Sequence, residues 1–268
     1  MAIPSEIWVC REGGLTRAVL LSGKKLLALE VDHEACPPRA GARYVAKVLR
    51  LNTALKVAEL DLGGGQTAFL SAPKVKAGEL LLVEWVAPAM GSKQAVVKPL
   101  TGEASGAPRF LEDGPDAVAR LSKAAFPVRE VVPDDFERLD LNTRLSALTS
   151  RTASFKGGSL VIDQTEAATV IDVNGKLAPA ALNRAALQEV ARQLRLRNLS
   201  GIILVDLVGK PDRGLCDVLR DATRDDPCRV DVYGLSKLGI LEVTRERRGW
   251  PLSRLLAAAP GLGNSKPE

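Results

Sequence analysis

The chain has 268 residues, 46% of them hydrophobic, a length and composition that favour about two globular domains. Because no apolar run approaches the roughly 18–20 residues of a membrane span and no signal peptide opens the chain, we expect a cytoplasmic protein without membrane contact. The four cysteines stand far apart beside a single histidine, which indicates neither a disulfide framework nor a zinc site, and the net charge of +5 favours an anionic partner.

Three short strand patterns open the chain between Ile7 and about Val31. They are IWVC, RAVLL and LLALEV, and the glycine-containing segments REGG and SGKK between them are typical of hairpin turns. The sequence therefore predicts a small antiparallel meander. The pair Pro37-Pro38 breaks the pattern and predicts a domain boundary after residue 38.

Five further strand patterns follow within residues 39–98: YVAKVLRLN, KVAELDLG, TAFLS, GELLLVEWV and QAVVKP. Such close spacing predicts a small barrel of the OB type, a fold that binds single-stranded nucleic acid through basic and aromatic side chains. The candidate contacts are Phe69, Lys47, Lys56 and Lys93. The alternative is that Phe69 fills the barrel core while the lysines are merely solvated.

Residues 99–156 begin with PLTGEASGAPRFLEDGP, which lacks a consistent period and indicates a linker or an exposed loop. Two helical patterns follow, AVARLSKAAF and DDFERLDLNTRLSALTS. From residue 157 the segments SLVID and ATVID predict a hairpin with acidic ends. An amphipathic helix from about Ala180 to Asn198 leads to GIILVDL, which is apolar enough for a buried strand.

The remaining chain continues the alternation of strands and helices. A helix from about Asp212 to Arg224 precedes the strand patterns CRVDVYG and GILEVTRER, and WPLSRLLAA predicts a short closing helix. Strand–helix–strand order indicates an α/β layer, so the whole chain is predicted to be an α+β protein.

Two carboxylates, Asp172 and Asp206, end apolar strands that one helix joins. Mg²⁺ prefers oxygen ligands and takes one or two carboxylates together with water and substrate phosphate, so this pair predicts a metal site for phosphodiester hydrolysis. Asn174 lies two residues beyond Asp172, on the same strand face, and could orient a water or a phosphate oxygen. Asp163 and Glu166 lie on the same hairpin. The alternative is that these aspartates cap turns and that Asn174-Gly175 is an ordinary turn.

The basic residues of the helix form a second candidate surface. Arg192, Arg195 and Arg197 would hold RNA phosphates on this helix, or would be a solvated face without a ligand. The sequence leaves both interpretations open.

The strings GGSLVIDQTEAATVIDVNG, ARQLRLRNLSGIILVDLV and GLSKLGILEVTRER resemble, in order and spacing, the catalytic region of the ribonuclease E/G family. This resemblance implies a split RNase H-like region with an inserted OB-type β-barrel, followed by an α/β DNase I-like catalytic layer in residues 157–268. It implies catalytic Mg²⁺, with Mn²⁺ as a substitute, on Asp172 and Asp206, assisted by Asn174. In the barrel, TAFL and GSK are similar to the family's positions for an aromatic residue that stacks on RNA and a basic residue that contacts it, which implies these roles for Phe69 and Lys93.

The resemblance therefore implies a Mg²⁺-dependent ribonuclease, an endoribonuclease by family, that acts on single-stranded or structured RNA in RNA processing or decay. The family's domain that senses a 5′-monophosphate is replaced by a short linker, so no strong preference for that RNA end is expected. Because the family's paired-cysteine motif is absent, we expect no zinc and no zinc-linked tetramer, while a homodimer stays conceivable.

Two substitutions depart from the family pattern. Glu59 stands where the family tends to have a second aromatic, which predicts weaker single-strand binding, and Lys237 replaces a usual arginine, keeping charge without bidentate geometry. Two other hypotheses remain: a non-catalytic RNA-binding protein with the same fold, and a phosphodiesterase that acts on DNA.

Overall fold

The computed structural model describes residues 5–36, 38–71, 74–90, 93–122 and 126–258. Some of the predicted features lie outside these ranges: Pro37 at the predicted boundary, Gly91 and Ser92 of the GSK motif, residues 123–125 of the helix pattern AVARLSKAAF, and the tail from residue 259. Within the described residues, no helix combines the length and the apolar character needed to cross a membrane.

The chain begins with nine strands: β1 (Ser5–Glu12), β2 (Leu15–Ser22), β3 (Lys25–His33), β4 (Arg43–Asn52), β5 (Val57–Gly63), β6 (Gln66–Ser71), β7 (Leu80–Ala87), β8 (Val96–Pro99) and β9 (Arg109–Glu112). The elements that follow are α1 (Ala117–Leu121), β10 (Val128–Glu130), α2 (Pro133–Arg138), α3 (Leu141–Ala147), β11 (Thr152–Phe155), β12 (Gly158–Gln164), β13 (Ala168–Gly175), α4 (Pro179–Leu196), β14 (Gly201–Asp206), α5 (Gly214–Ala222), β15 (Val230–Leu235), β16 (Ile240–Arg245) and α6 (Leu252–Ala257).

The first sheet has the strand order β10-β1-β2-β3, and β1 to β3 form the antiparallel meander that the sequence predicted. β10 returns much later in the chain and lies parallel to β1. One face of the sheet packs Leu15 and Val19 against Phe136 of α2 and Leu145 of α3. Ala117 of α1 packs on the opposite face with Ile7. Both faces of this sheet are therefore covered.

The middle of the chain forms a closed five-stranded barrel of the OB type, which confirms that prediction. β4 pairs with both β5 and β7, while β6 pairs with β5 and β8, and β8 returns to β7. Residues of alternating position fill the interior, among them Tyr44, Leu60, Val83 and Trp85. Because each inward residue is followed by an outward one, the barrel presents a separate outer surface for polar and aromatic side chains.

The segment after residue 98, predicted to be a linker or an exposed loop, contains one short strand. β9 pairs with β4, supported by an Arg43–Glu112 ion pair of 2.8 Å and an edge-on contact between the rings of Tyr44 and Phe110. Every residue of β9 is exposed, so its sequence shows no alternation of apolar and polar positions. Strand pairing, rather than burial, holds this segment in place.

The third sheet, with the order β11-β12-β13-β14-β16-β15, carries the predicted α/β layer. β13 and β14 are parallel and are connected by α4, whereas β16 is antiparallel to β14. Leu182 and Leu187 of α4 and Leu219 of α5 pack with Ile171 and Ile203 on one face of the sheet. Side chains at alternate positions, including Val170 and Ile202, lie on the other face and are 38% and 50% exposed. We call this uncovered surface the open face.

A short segment after β16 joins this sheet to the barrel. Gly249 N donates to Val86 O at 2.8 Å and Arg247 Nη2 donates to Pro88 O at 2.6 Å, while Trp250 packs against Trp85. The barrel and the third sheet are therefore connected by hydrogen bonds as well as by the chain. The RNase H-like and DNase I-like assignments of the individual parts stay predictions.

Candidate metal and RNA site

Asp172 and Asp206 lie side by side on the open face. β13 and β14 run parallel, and their register pairs Asp172 directly with Asp206. Neighbouring strands are about 4.8 Å apart and paired residues project to the same face, so the two carboxylates are neighbours. Both are exposed, whereas the residues just before them, Ile171 and Val205, are fully buried under α4. Alternation along the strands thus anchors the backbone beneath two solvent-facing carboxylates.

Asn174 belongs to the same group of side chains. Its Nδ2 donates a hydrogen bond of 2.6 Å to Asp172 Oδ2, and both side chains are exposed. This bond fixes the orientation of the Asp172 carboxylate. The prediction that Asn174 shares a face with Asp172 is confirmed.

The turn between β15 and β16 lies at the same edge of the sheet. β16 begins at Ile240, which pairs with Asp206, and Lys237 lies three residues earlier in a turn closed by a hydrogen bond from Gly239 N to Ser236 O of 3.0 Å. Lys237 is exposed. A cationic side chain is thereby available at the edge where the two aspartates end.

A buried amide holds the loop that follows Asp206. Asn183 of α4 is 2% exposed, its Nδ2 donates to Val208 O at 2.9 Å, and Val208 N donates to its Oδ1 at 3.0 Å. These two bonds fix the backbone two residues beyond Asp206. Sequence reasoning did not identify Asn183, because an asparagine within a helix pattern carries no signal of a distant backbone partner.

Asp163 is not part of the pair. It lies opposite Val170 in the β12–β13 register, whereas Asp172 lies opposite Val161, so Asp163 is displaced by two residues along the hairpin towards its turn. Arg151 donates two hydrogen bonds to Asp163, of 2.5 and 2.7 Å. The hydrogen bonds from Arg151 hold the pKa of the Asp163 carboxyl below its usual value. Asp163 is therefore held by Arg151, whereas Asp172 is paired in register with Asp206.

The arginine-rich end of α4 lies away from the aspartates. α4 covers the sheet face opposite to Asp172, and it starts near the carboxyl end of β13 and runs about 27 Å to the other edge. Arg192 forms an ion pair with Glu189 at 2.9 Å, and Arg195 is half-buried. The structure therefore does not bring these arginines together with the aspartates.

The prediction that Arg197 binds RNA was wrong, because its guanidinium is used inside the protein. Arg197 is 7% exposed and donates to Gln193 Oε1 and to Ser150 O, each at 2.5 Å. Burial lowers the pKa of this guanidinium. Arg197 links the end of α4 to the turn before β11, a role that spacing along a helix cannot reveal.

The outer surface of the barrel brings together a second set of predicted residues. Phe69 on β6 is half-buried, and its backbone N donates a hydrogen bond of 2.8 Å to Ala95 O. Ala95 is two residues after the exposed Lys93, so this bond brings Phe69 close to the segment that carries Lys93. Phe69 also lies directly opposite Glu59 on β5, and Arg50 forms an ion pair with Glu59. The alternative that Phe69 belongs to the barrel core was wrong, because the inward positions of β6 are its neighbours Ala68 and Leu70.

The charge of Glu59 is therefore compensated within the barrel. Arg50 keeps 79% of its side chain exposed beside that carboxylate, so the surface next to Phe69 is not simply anionic. Lys47 on β4 is exposed and pairs in register with Asp61 of β5. Lys56 lies at a tight turn, with φ of 52°, and is exposed.

The two exposed carboxylates fit a magnesium ion. Within the ranges that the structure describes, no three His, Cys, Asp or Glu side chains come close enough to form a metal cluster. Mg²⁺ typically keeps several waters and binds one or two protein carboxylates together with substrate phosphate oxygens. A pair of exposed carboxylates beside the Asn174 amide suits that requirement.

The strands that carry Asp172 and Asp206 lie in a segment that is similar to known proteins. Residues 117–248 match the model of the Ribonuclease E/G family. Ribonuclease E of Haemophilus influenzae is 40% identical over 122 residues, covering 41% of this chain and 12% of that protein. Ribonuclease E of Escherichia coli K12 is 40% identical over 122 residues, covering 41% and 11%. Ribonuclease G of the same strain is 36% identical over 126 residues, covering 42% and 26%, so the chain matches only a minor part of each relative.

Proposed function

We propose that this protein is a Mg²⁺-dependent ribonuclease that cleaves single-stranded RNA internally, because residues 117–248 match the model of the Ribonuclease E/G family. The observation that carries the proposal is the register pairing of Asp172 with Asp206 on the open face. Both aspartates lie within the segment that matches the family model.

Asp172 and Asp206 would hold the cation, and Mn²⁺ would substitute for Mg²⁺ because it accepts the same oxygen ligands. When bound there, the cation supplies Lewis-acid stabilisation of the negative charge that develops on the scissile phosphate. The exposed position of both carboxylates leaves room for an RNA phosphate at the same point.

Asn174 positions two groups at once. Its Nδ2 holds the Asp172 carboxylate, and its carbonyl oxygen can accept a hydrogen bond from the attacking water. Lys237 would contribute a positive charge to the phosphate that approaches this edge. Asn183 fixes the loop after Asp206 and so limits the movement of that carboxylate.

The barrel would hold the RNA strand at a distance from the cleavage point. Phe69 offers a ring on which one base can stack, and Lys93 offers a charge for the neighbouring phosphate. Lys47 extends this basic surface. Arg192 and Arg195 lie on the other side of the third sheet, away from the proposed cleavage point.

A cleavage assay with matched variants tests the proposal. Labelled single-stranded RNA is incubated with the protein in Mg²⁺, in Mn²⁺ and in chelator, and the assay is repeated with Asp172→Asn and Asp206→Asn. Each variant should lose orders of magnitude in rate, because several kcal/mol of charge stabilisation depend on the metal site. Asp217→Asn is the control, since this aspartate on α5 is 74% exposed and forms a surface ion pair with Arg220 at 2.8 Å.

The rival hypothesis is an RNA-binding protein without catalysis. It predicts RNA binding without metal-dependent cleavage in the wild-type protein. Cleavage that persists in both aspartate variants would contradict the assigned site, and cleavage of DNA at an equal rate would contradict the proposed substrate.

A further inference from the structure

The open face continues beyond the aspartates as a strip of apolar side chains. Two residues before Asp172 and Asp206 on the same strands, Val170 pairs with Leu204. Two residues earlier again on β14, Ile202 pairs with Thr244 of β16. Ile202 is 50% exposed. Soluble proteins rarely leave contiguous apolar surface on a sheet face unless it contacts a partner or a ligand.

An exposed aromatic side chain borders this strip. Tyr233 occupies a bulge in β15, between the register pairs of Val232 and Gly234, and is 67% exposed. Thr244 Oγ1 donates a long hydrogen bond of 3.4 Å to the Tyr233 hydroxyl, so the side chain leans along the sheet over its neighbour strand. Bulges frequently re-aim a side chain next to functional sites.

A carboxylate lies between the aromatic side chain and the apolar strip. Glu242 of β16 pairs in register with Leu204 on one side and with Gly234 on the other. It is exposed, and no described residue forms an ion pair with it. A β-carbon added at Gly234 would meet no atom within 4 Å, so the space beside Glu242 is open.

The charge of Glu242 limits what can occupy this space. A carboxylate is an acceptor only, so it repels a phosphate and needs a ligand that presents hydrogen-bond donors. A nucleobase can stack on an aromatic ring and present its Watson–Crick edge to a side chain. Among the RNA bases, guanine alone presents two adjacent N–H donors on that edge, which match the two oxygens of a carboxylate.

We propose that Tyr233 and Glu242 form a base-specific subsite for one unpaired guanine next to the scissile phosphate. The inference rests on the proposed function, because Asp206 marks where the phosphate lies. Asp206 of β14 pairs with Ile240 of the neighbouring strand β16, and Glu242 lies two residues beyond Ile240 on β16. The backbone positions of Asp206 and Glu242 are therefore about 8 Å apart. That is the span of a neighbouring nucleotide.

A second copy of the chain fits this face less well. Symmetric contact through the strip would bring Asp172, Asp206 and Glu242 of two molecules towards one another, and close like charges oppose association. A single RNA strand avoids this repulsion, because its bases contact the strip while its phosphates meet the metal site.

Cleavage and binding of short RNAs test the subsite separately. The substrates are uridine oligomers with one guanosine, inosine, adenosine or cytidine placed at each position in turn. Inosine lacks the amino group that pairs with the second carboxylate oxygen. Binding is measured by fluorescence anisotropy in chelator, where no cleavage is expected, with wild type, Glu242→Gln, Tyr233→Ala, Tyr233→Phe and Val128→Ala. Val128 is 49% exposed on a distant edge strand and serves as the apolar control.

Wild type should prefer guanosine over inosine at one position by about tenfold or more in kcat/KM and in affinity. Glu242→Gln should abolish this preference, Tyr233→Ala should weaken binding of every base at that position by about tenfold, and Tyr233→Phe should restore binding. Val128→Ala should behave as wild type.

Equal use of guanosine and inosine by wild type, or an unchanged preference in Glu242→Gln, would overturn the inference while leaving the ribonuclease proposal intact. If no RNA is cleaved, the ribonuclease proposal fails and the anisotropy series still decides the subsite. A dimer in light scattering that dissociates in Tyr233→Ala without a change in base preference would make the strip a protein interface and refute the inference.

Discussion

Replacement of Asn183 by alanine removes the two side-chain hydrogen bonds that hold the loop after Asp206; we call this pair of bonds the clamp. The wild-type side chain makes hydrogen bonds of 2.9 and 3.0 Å to the two backbone groups of Val208. Each bond contributes about 1 kcal/mol, and a buried backbone group left without a partner costs about 1–3 kcal/mol. The free energy of unfolding should therefore fall by about 2–3 kcal/mol, as measured by urea denaturation.

Cleavage should fall as well, because Asp206 loses its fixed backbone. A displacement of about 1 Å in a catalytic group can cost up to about a hundredfold in rate, and we expect kcat to drop by about tenfold or more under conditions where the variant is folded. Asn142→Ala is the matched control, since its Oδ1 accepts a hydrogen bond of 2.7 Å from Arg17 in the first sheet, far from the site.

The control should lose stability without losing kcat in the folded protein. If Asn183→Ala has wild-type stability, the clamp has no energetic role. If both variants lose kcat to the same extent, the effect on cleavage is not specific to the loop after Asp206, and the reasoning is refuted.

Two further predictions concern ion pairs. Arg245 and Asp226 form a buried pair at 2.9 Å, so Asp226→Asn should lower the free energy of unfolding by about 3–5 kcal/mol in urea denaturation, and a loss below about 1 kcal/mol would contradict this. At the surface, Arg151 lowers the pKa of Asp163, so the stabilisation is present above the unfolded pKa and is lost as pH falls through the lower folded value. Arg151→Met should return the Asp163 pKa to its usual range in an NMR titration, and an unchanged pKa would contradict the assignment.

The sequence predicted the parts of the fold whose residues alternate or repeat. The meander, the barrel and α4 all carry strong apolar patterns, and the structure has each of them. β9, β10 and β11 were missed because they are short and mostly exposed, so pairing with a neighbour defines them rather than burial. No period in a single segment reports on such pairing.

In the candidate site, too, local sequence patterns predicted some features, while others depend on contacts between distant parts of the chain. Apolar runs were enough to place Asp172 and Asp206 at strand ends, and period-two spacing was enough to place Asn174 on the same strand face as Asp172. The direct pairing of Asp172 with Asp206 depends on the parallel register of two strands separated by α4, which spacing along the chain does not specify. The roles of Arg197 and Asn183 depend on backbone partners far along the chain, so only the folded structure reveals them.

Metal binding by Asp172 and Asp206 most directly tests whether the two aspartates share a metal ion. Mn²⁺ titration followed by electron paramagnetic resonance should detect a site in the wild-type protein from which Mg²⁺ displaces Mn²⁺. Asp172→Asn and Asp206→Asn should each weaken that site by about tenfold or more, while Asp217→Asn should leave it unchanged. Equal Mn²⁺ affinity in the wild type and in both aspartate variants would contradict the assignment of a shared metal site.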